Sequence, residues 1–82
     1  MHYVLINEWA VDNGEITNGV EIVAVCHTLE EVQAEFNKRL PEEQACAEDN
    51  GWTIYEHSGL EFDAGEEGYY DAEHTRLYVR RV

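Results

Sequence analysis

The stretch Thr28-LEEVQAEFNKRLPEEQACAEDN-Gly51 decides how this chain of 82 residues folds, because it carries helix start and stop signals around an apolar stripe. Thr28, with Glu31 three residues on, fits a capping box: the threonine hydroxyl accepts an orphan N–H of the first turn and the glutamate reaches back. Leu29, Val32, Phe36 and Leu40 follow at helical spacing and form one face, with Glu30, Glu31, Glu35 and Lys38 towards water. Pro41 is expected to break the ladder or to open a second helical turn, since Pro41-Glu42-Glu43-Gln44 puts proline at a first-turn position followed by acids that suit the helix dipole. Asn50-Gly51 closes the segment.

Upstream, Tyr3 to Val11 is rich in β-branched and aromatic residues, and Val20 to Cys26 alternates Val20, Ile22, Ala24 and Cys26 against Glu21, Val23 and Val25. Both read as strands. Asp12-Asn13-Gly14 and Asn18-Gly19 between them are turn chemistry, so an antiparallel hairpin is the economical connection. Downstream, Trp52 to His57 reads as a third strand, which Leu60 and Phe62 extend past a turn or bulge at Ser58-Gly59. Asp63 to Glu73 reads as an exposed loop presenting charge, and Thr75 to Val82 as the last strand, with Leu77 and Val79 inward and Arg76, Tyr78 and Arg80 outward. The sum is β-β-α-β-β: one α+β domain over residues 1–82, an antiparallel sheet with the helical segment packed on one face.

Composition sets limits on function. An apolar fraction of 44% with two Trp, five Tyr and two Phe is too hydrophobic for a disordered acidic tail, so the chain folds, as a single domain at this length. The N-terminus MHYVLINEWA lacks a basic leader and reads as a strand, and Cys26 and Cys46 form no CxxC pair. Reduced thiols in the cytoplasm are therefore expected. No apolar run is long enough to span a membrane. Strong negative charge also opposes direct binding to nucleic acid or to anionic lipid.

The charge distribution carries the functional signal. From Leu40 to Thr75 there is no Lys or Arg, while Glu42, Glu43, Glu48, Asp49, Glu56, Glu61, Asp63, Glu66, Glu67, Asp71 and Glu73 all fall there. The five basic side chains form two islands, Lys38-Arg39 and Arg76 with Arg80-Arg81, against 18 acids and a formal net charge of −13. Such a charge lowers stability through self-repulsion while attracting cationic partners. A folded chain of this length is roughly 30 Å across by the usual scaling. Duplex DNA carries about eighteen phosphates over that span, at one charge per roughly 1.7 Å.

Catalytic and metal motifs are missing by contrast. There is no P-loop, GxGxxG, nucleophile elbow or basic-aromatic RNA motif. A catalytic carboxylate pair needs a buried member, and the acids pattern as exposed. His27, His57 and His74 with Cys26 match no zinc spacing. Asp63, Glu67, Gly68 and Asp71 fall at positions one, five, six and nine of a calcium loop, but Gly65 at three and His74 at twelve break the match. The expectation is a protein without enzymatic activity, metal or cofactor.

In charge and size the chain resembles the small acidic inhibitors that phages and mobile elements direct against bacterial defence, the DNA-mimic anti-restriction and anti-CRISPR proteins. The residues carrying the resemblance are Glu30, Glu31, Glu35, Glu42, Glu43, Glu48 and Asp49 of the helical segment and Asp63, Glu66, Glu67, Asp71 and Glu73 of the loop. Separately, Tyr69 and Tyr70 of the loop are candidate interface anchors, since aromatic side chains dominate hot spots. The resemblance implies a partner with a basic nucleic-acid groove, such as a CRISPR effector, in the host cytoplasm. Arg76, Arg80 and Arg81 depart from a uniformly acidic mimic. The competing expectation is an interaction or regulatory module that forms a homodimer, or binds a dedicated partner, through a strand edge and aromatics.

Overall fold

The computed structural model of the chain describes all 82 residues. Strands β1 (Tyr3–Asp12) and β2 (Ile16–Cys26) form the expected hairpin, helix α1 spans Leu29–Asn50, and β3 (Thr53–His57), β4 (Glu61–Gly65) and β5 (His74–Arg81) complete the chain. All pairings are antiparallel, and the sheet order is β2-β1-β5-β4-β3. The architecture is α+β, one helix on one face of an antiparallel sheet. The last strand thus inserts at the centre of the sheet, beside the first, and leaves β2 and β3 as its edges.

Both helix ends follow from local chemistry. Thr28 Oγ1 accepts from the Glu31 backbone N–H at 3.1 Å and donates to Glu31 Oε1 at 3.0 Å. At the far end Gly51 takes a left-handed φ of 67°, a conformation that glycine adopts without a Cβ penalty. Its N–H donates to Glu48, and that of Trp52 to Ala47, so two last-turn carbonyls are satisfied. Helix α1 runs through Pro41 without interruption, contrary to the expected break. The proline is exposed, and the carbonyl it leaves without an intrahelical donor belongs to Asn37, which is also exposed, so that carbonyl is open to solvent.

The core unites Leu5, Cys26, Val32, Phe36, Ala47, Trp52, Phe62, Ala64 and Leu77 between helix and sheet. Helical phase decides which side chains enter it. Val32, Phe36, Glu43 and Ala47 are the buried positions of α1, whereas Leu29, placed on the stripe by its spacing, is 52% exposed because it lies in the first turn. The Trp52 indole N–H is the one buried side-chain polar atom without a partner.

Three further expectations change. The third strand is two strands, β3 and β4, joined at Ser58-Gly59-Leu60, where Ser58 N–H donates to the Glu61 carbonyl. In β2, Ala24 pairs with Leu5 but Ile22 with Ile6, so Val23 is an extra residue. Because side chains alternate with period two, that bulge turns Val20 and Ile22 onto the face away from the helix, while Ala24 and Cys26 stay beneath it. Tyr78 does point away from the helix, yet it is buried, because the Arg76 guanidinium lies 4.0 Å from its ring centroid and Arg80 lies 5.7 Å away.

Candidate functional site

The ladder gives the molecule two unlike ends along its 40 Å axis. At one end Tyr3 stands level with Cys26 and Arg81, and the N-terminus of α1 follows from Cys26. At the other, Asn18, Ala10, His74, Gly65 and Thr53 stand level across the whole sheet. Three segments project beyond this second level: the β1–β2 turn, the C-terminus of α1 and the β4–β5 loop. They bring Asp12 and Glu15, Glu48 and Asp49, and Glu66, Glu67, Asp71 and Glu73 to one pole, with no Lys or Arg among them.

Ion pairing sharpens this polarity. Arg39 lies 2.8 Å from Glu21, 3.1 Å from Glu42 and 2.7 Å from Glu43. Arg76 pairs with Glu61 at 3.2 Å and Glu8 at 4.0 Å, and Lys38 with Glu35 at 3.5 Å. Every acid so neutralised lies on the middle of the molecule, and none of the eight at the pole pairs with a base. Arg80 and Arg81 sit at the opposite end.

The pole sits on a rigid frame, because the β4–β5 loop is closed by its own backbone. Glu66 N–H donates to the Glu73 carbonyl, extending the β4–β5 ladder, Tyr69 N–H donates to Glu66, and Ala72 and Glu73 N–H both donate to Tyr69. Tyr70 then folds back over the sheet. Its hydroxyl donates to Asp63 Oδ1 at 2.6 Å, its ring stacks on His74 with centroids 4.5 Å apart, and its carbonyl accepts from His74 Nδ1 at 2.7 Å. Burial, then the hydrogen bond and charge of Asp63, push the Tyr70 phenol well above its ordinary range, so it stays a donor at physiological pH. Ala72 is buried beneath the loop.

Gly65 makes this closure possible. A Cβ there would stand 2.7 Å from Tyr70 Cδ2 and 2.8 Å from the Glu73 carbonyl oxygen, and the backbone partner has no rotamer by which to retreat. Gly65→Ala is accordingly expected to destabilise the domain by about 1–3 kcal/mol. Amide exchange in the mutant should rise in residues 66–73 before it rises in β1.

The residues singled out from sequence fall in five places. Glu48, Asp49, Glu66, Glu67, Tyr69, Asp71 and Glu73 meet at the pole, where Tyr69 and Ile16 are both more than half exposed around an open depression. Asp63 and Tyr70 lie beneath it, half-buried, as supports. Asp63 through Gly65 belongs to β4, so the exposed loop is shorter than expected. Glu30 and Glu31 lie at the opposite end, and Glu35 and Glu42 are ion-paired at mid-helix. Glu43 is not a surface acid at all. It is 6% exposed and accepts from Arg39 Nε at 2.7 Å and Thr75 Oγ1 at 2.9 Å, while Asn7 Nδ2 donates to Thr75 Oγ1 at 3.1 Å. Asp12 and Glu15 complete the pole without having been singled out, since only the sheet order brings their turn beside the β4–β5 loop.

Neither thiol is activated. Burial, then Glu31 and Glu35, push the Cys26 thiol up, and burial with Glu43 and Asp49 does the same to Cys46 against a weaker lowering by Asn50. No three His, Cys, Asp or Glu side chains converge on a metal-binding geometry. No helix is long and apolar enough to cross a membrane. No protein-family model matches the chain, and neither the curated proteins nor the solved structures contain a match.

Proposed function

We propose that this protein is a non-enzymatic inhibitor whose acidic pole occupies the basic nucleic-acid groove of a defence protein, in the manner of DNA-mimic anti-restriction and anti-CRISPR proteins. The observation that carries the reading is the set of eight unpaired carboxylates on one rigid end of a 40 Å molecule. A groove lined by Lys and Arg draws such an end in at long range and holds it by the contacts it otherwise makes to phosphates. Tyr69 and Ile16 supply an apolar anchor within the acidic surround.

Energetics supports a selected field. Glu48 and Asp49 stand in the last turn of α1, where the helix dipole is negative and no base offsets them. Each acid there is unfavourable by about 0.3–1 kcal/mol at low salt. Glu48→Gln with Asp49→Asn is therefore expected to raise thermal stability, by roughly 4–8 °C per kcal/mol recovered in a domain this small, and to weaken partner binding. If both stability and binding fall together, the turn serves the fold alone.

The direct test uses a guide-loaded CRISPR effector and a restriction endonuclease as probes. Excess protein should prevent target-duplex binding by one of them, with weaker inhibition as salt rises. Duplex binding that is undisturbed for both at low salt counts against the groove-occupying reading.

A further inference from the structure

The two edges of the sheet are unlike, and the difference points to a second copy of this chain. Edge strand β3 is guarded in the ways natural sheets use: it is 5 residues long, bulged at Tyr55, and carries Glu56 beside His57. Edge strand β2 shares the bulge, at Val23, but is more than twice as long. It runs for 11 residues without Lys, Arg or Pro, and turns Ile16, Val20, Ile22 and Val25 outward at 55%, 67%, 58% and 62% exposure on the face away from the helix. Its one acid, Glu21, points to the helix side and is held by Arg39 at 2.8 Å.

Charge selects the occupant. A chain of formal net charge −13 associates with itself only through a surface that carries little of that charge, and the stretch from Ile16 to Leu29, with Glu21 as its single acid, is such a surface. Geometry adds a second argument. β2 begins at the acidic pole and ends at the end that carries Arg80 and Arg81 together with Glu30 and Glu31, so antiparallel pairing about a two-fold axis sets each copy's acidic pole alongside the partner copy's end of mixed charge. Parallel pairing would set pole against pole. We propose that β2 pairs antiparallel with β2 of a second copy, giving a homodimer with one sheet running through both protomers and Val20 and Ile22 packed across the join.

The proposal is independent of the acidic-pole reading, and salt separates the two. Pairing of apolar strands between two anions should persist at about 1 M NaCl, where the Debye length is about 3 Å. Docking of the pole into a basic groove should not. Sedimentation velocity of the full chain from low to high micromolar concentration is expected to approach twice the chain mass of 9.5 kDa. Val20→Lys with Ile22→Lys should return a monomer with unchanged far-UV circular dichroism, whereas Ile54→Lys on β3 should leave the dimer intact. Should the double variant unfold, hydrogen exchange of the wild type decides: association must slow exchange in β2 and leave β3 unchanged. A monomer at every concentration overturns the proposal. So does a dimer that survives the β2 lysines, one lost equally through Ile54→Lys, or protection that appears outside β2.

Discussion

Replacing Glu43 by alanine is expected to remove about 3–5 kcal/mol of folding stability, the range seen when one partner of a buried ion pair is deleted. The carboxylate is 6% exposed and bonds Arg39 on its own helix and Thr75 on β5, so it ties α1 to the central strand of the sheet. Removal leaves the buried Thr75 hydroxyl without an acceptor, while the Asn7 amide keeps Thr75 Oγ1 and the Arg76 carbonyl. Arg39 keeps Glu21 and Glu42, which limits the loss. Glu42→Ala, one residue away, removes an exposed pair and should change stability by less than about 1 kcal/mol. Urea denaturation at constant m-value measures both. Equal shifts for the two variants would show that burial of Glu43 contributes nothing distinctive.

The second large effect concerns binding. Changing Glu48, Glu66, Glu67 and Asp71 to their neutral amides is expected to weaken the proposed inhibitory complex by roughly 10²- to 10³-fold, taking about 0.7–1 kcal/mol for each desolvated charge contact. Changing Glu30, Glu31, Glu35 and Glu42 instead, with the same loss of net charge, should weaken it less than about tenfold, because those acids lie outside the pole and two of them are ion-paired. Calorimetric titration of both variants against the same effector separates a directed pole from net charge. Equal losses would assign the attraction to net charge and remove the pole's role.

Much of the architecture is legible in the sequence, because local chemistry dictates it. The Thr28 capping box, the left-handed Gly51 and the alternation of β1 each act within a few residues. The bulge at Val23 is less visible, since a run of β-branched residues alternates equally well in either register and the flip comes from pairing with β1. Pro41 misleads for a similar reason: its cost depends on whether the orphaned carbonyl meets water, which is a property of the helix's placement. Glu43 is the instructive case. Read locally, it belongs to an acidic first turn after proline. Read in phase with Val32, Phe36 and Ala47, it falls on the buried stripe, and Arg39 four residues before it is the partner such a position requires. The pole was the least legible feature, because only the order β2-β1-β5-β4-β3 brings Asp12 and Glu15, Glu48 and Asp49, and the β4–β5 loop to one end.

The salt dependence of binding to a responsive effector tests the central claim most directly. Affinity plotted against salt on logarithmic axes should fall steeply for the wild-type protein, and its slope should shrink by roughly one for each pole acid in contact that is neutralised. Parallel lines for the wild type and the variant with Glu48, Glu66, Glu67 and Asp71 changed to amides would contradict the account.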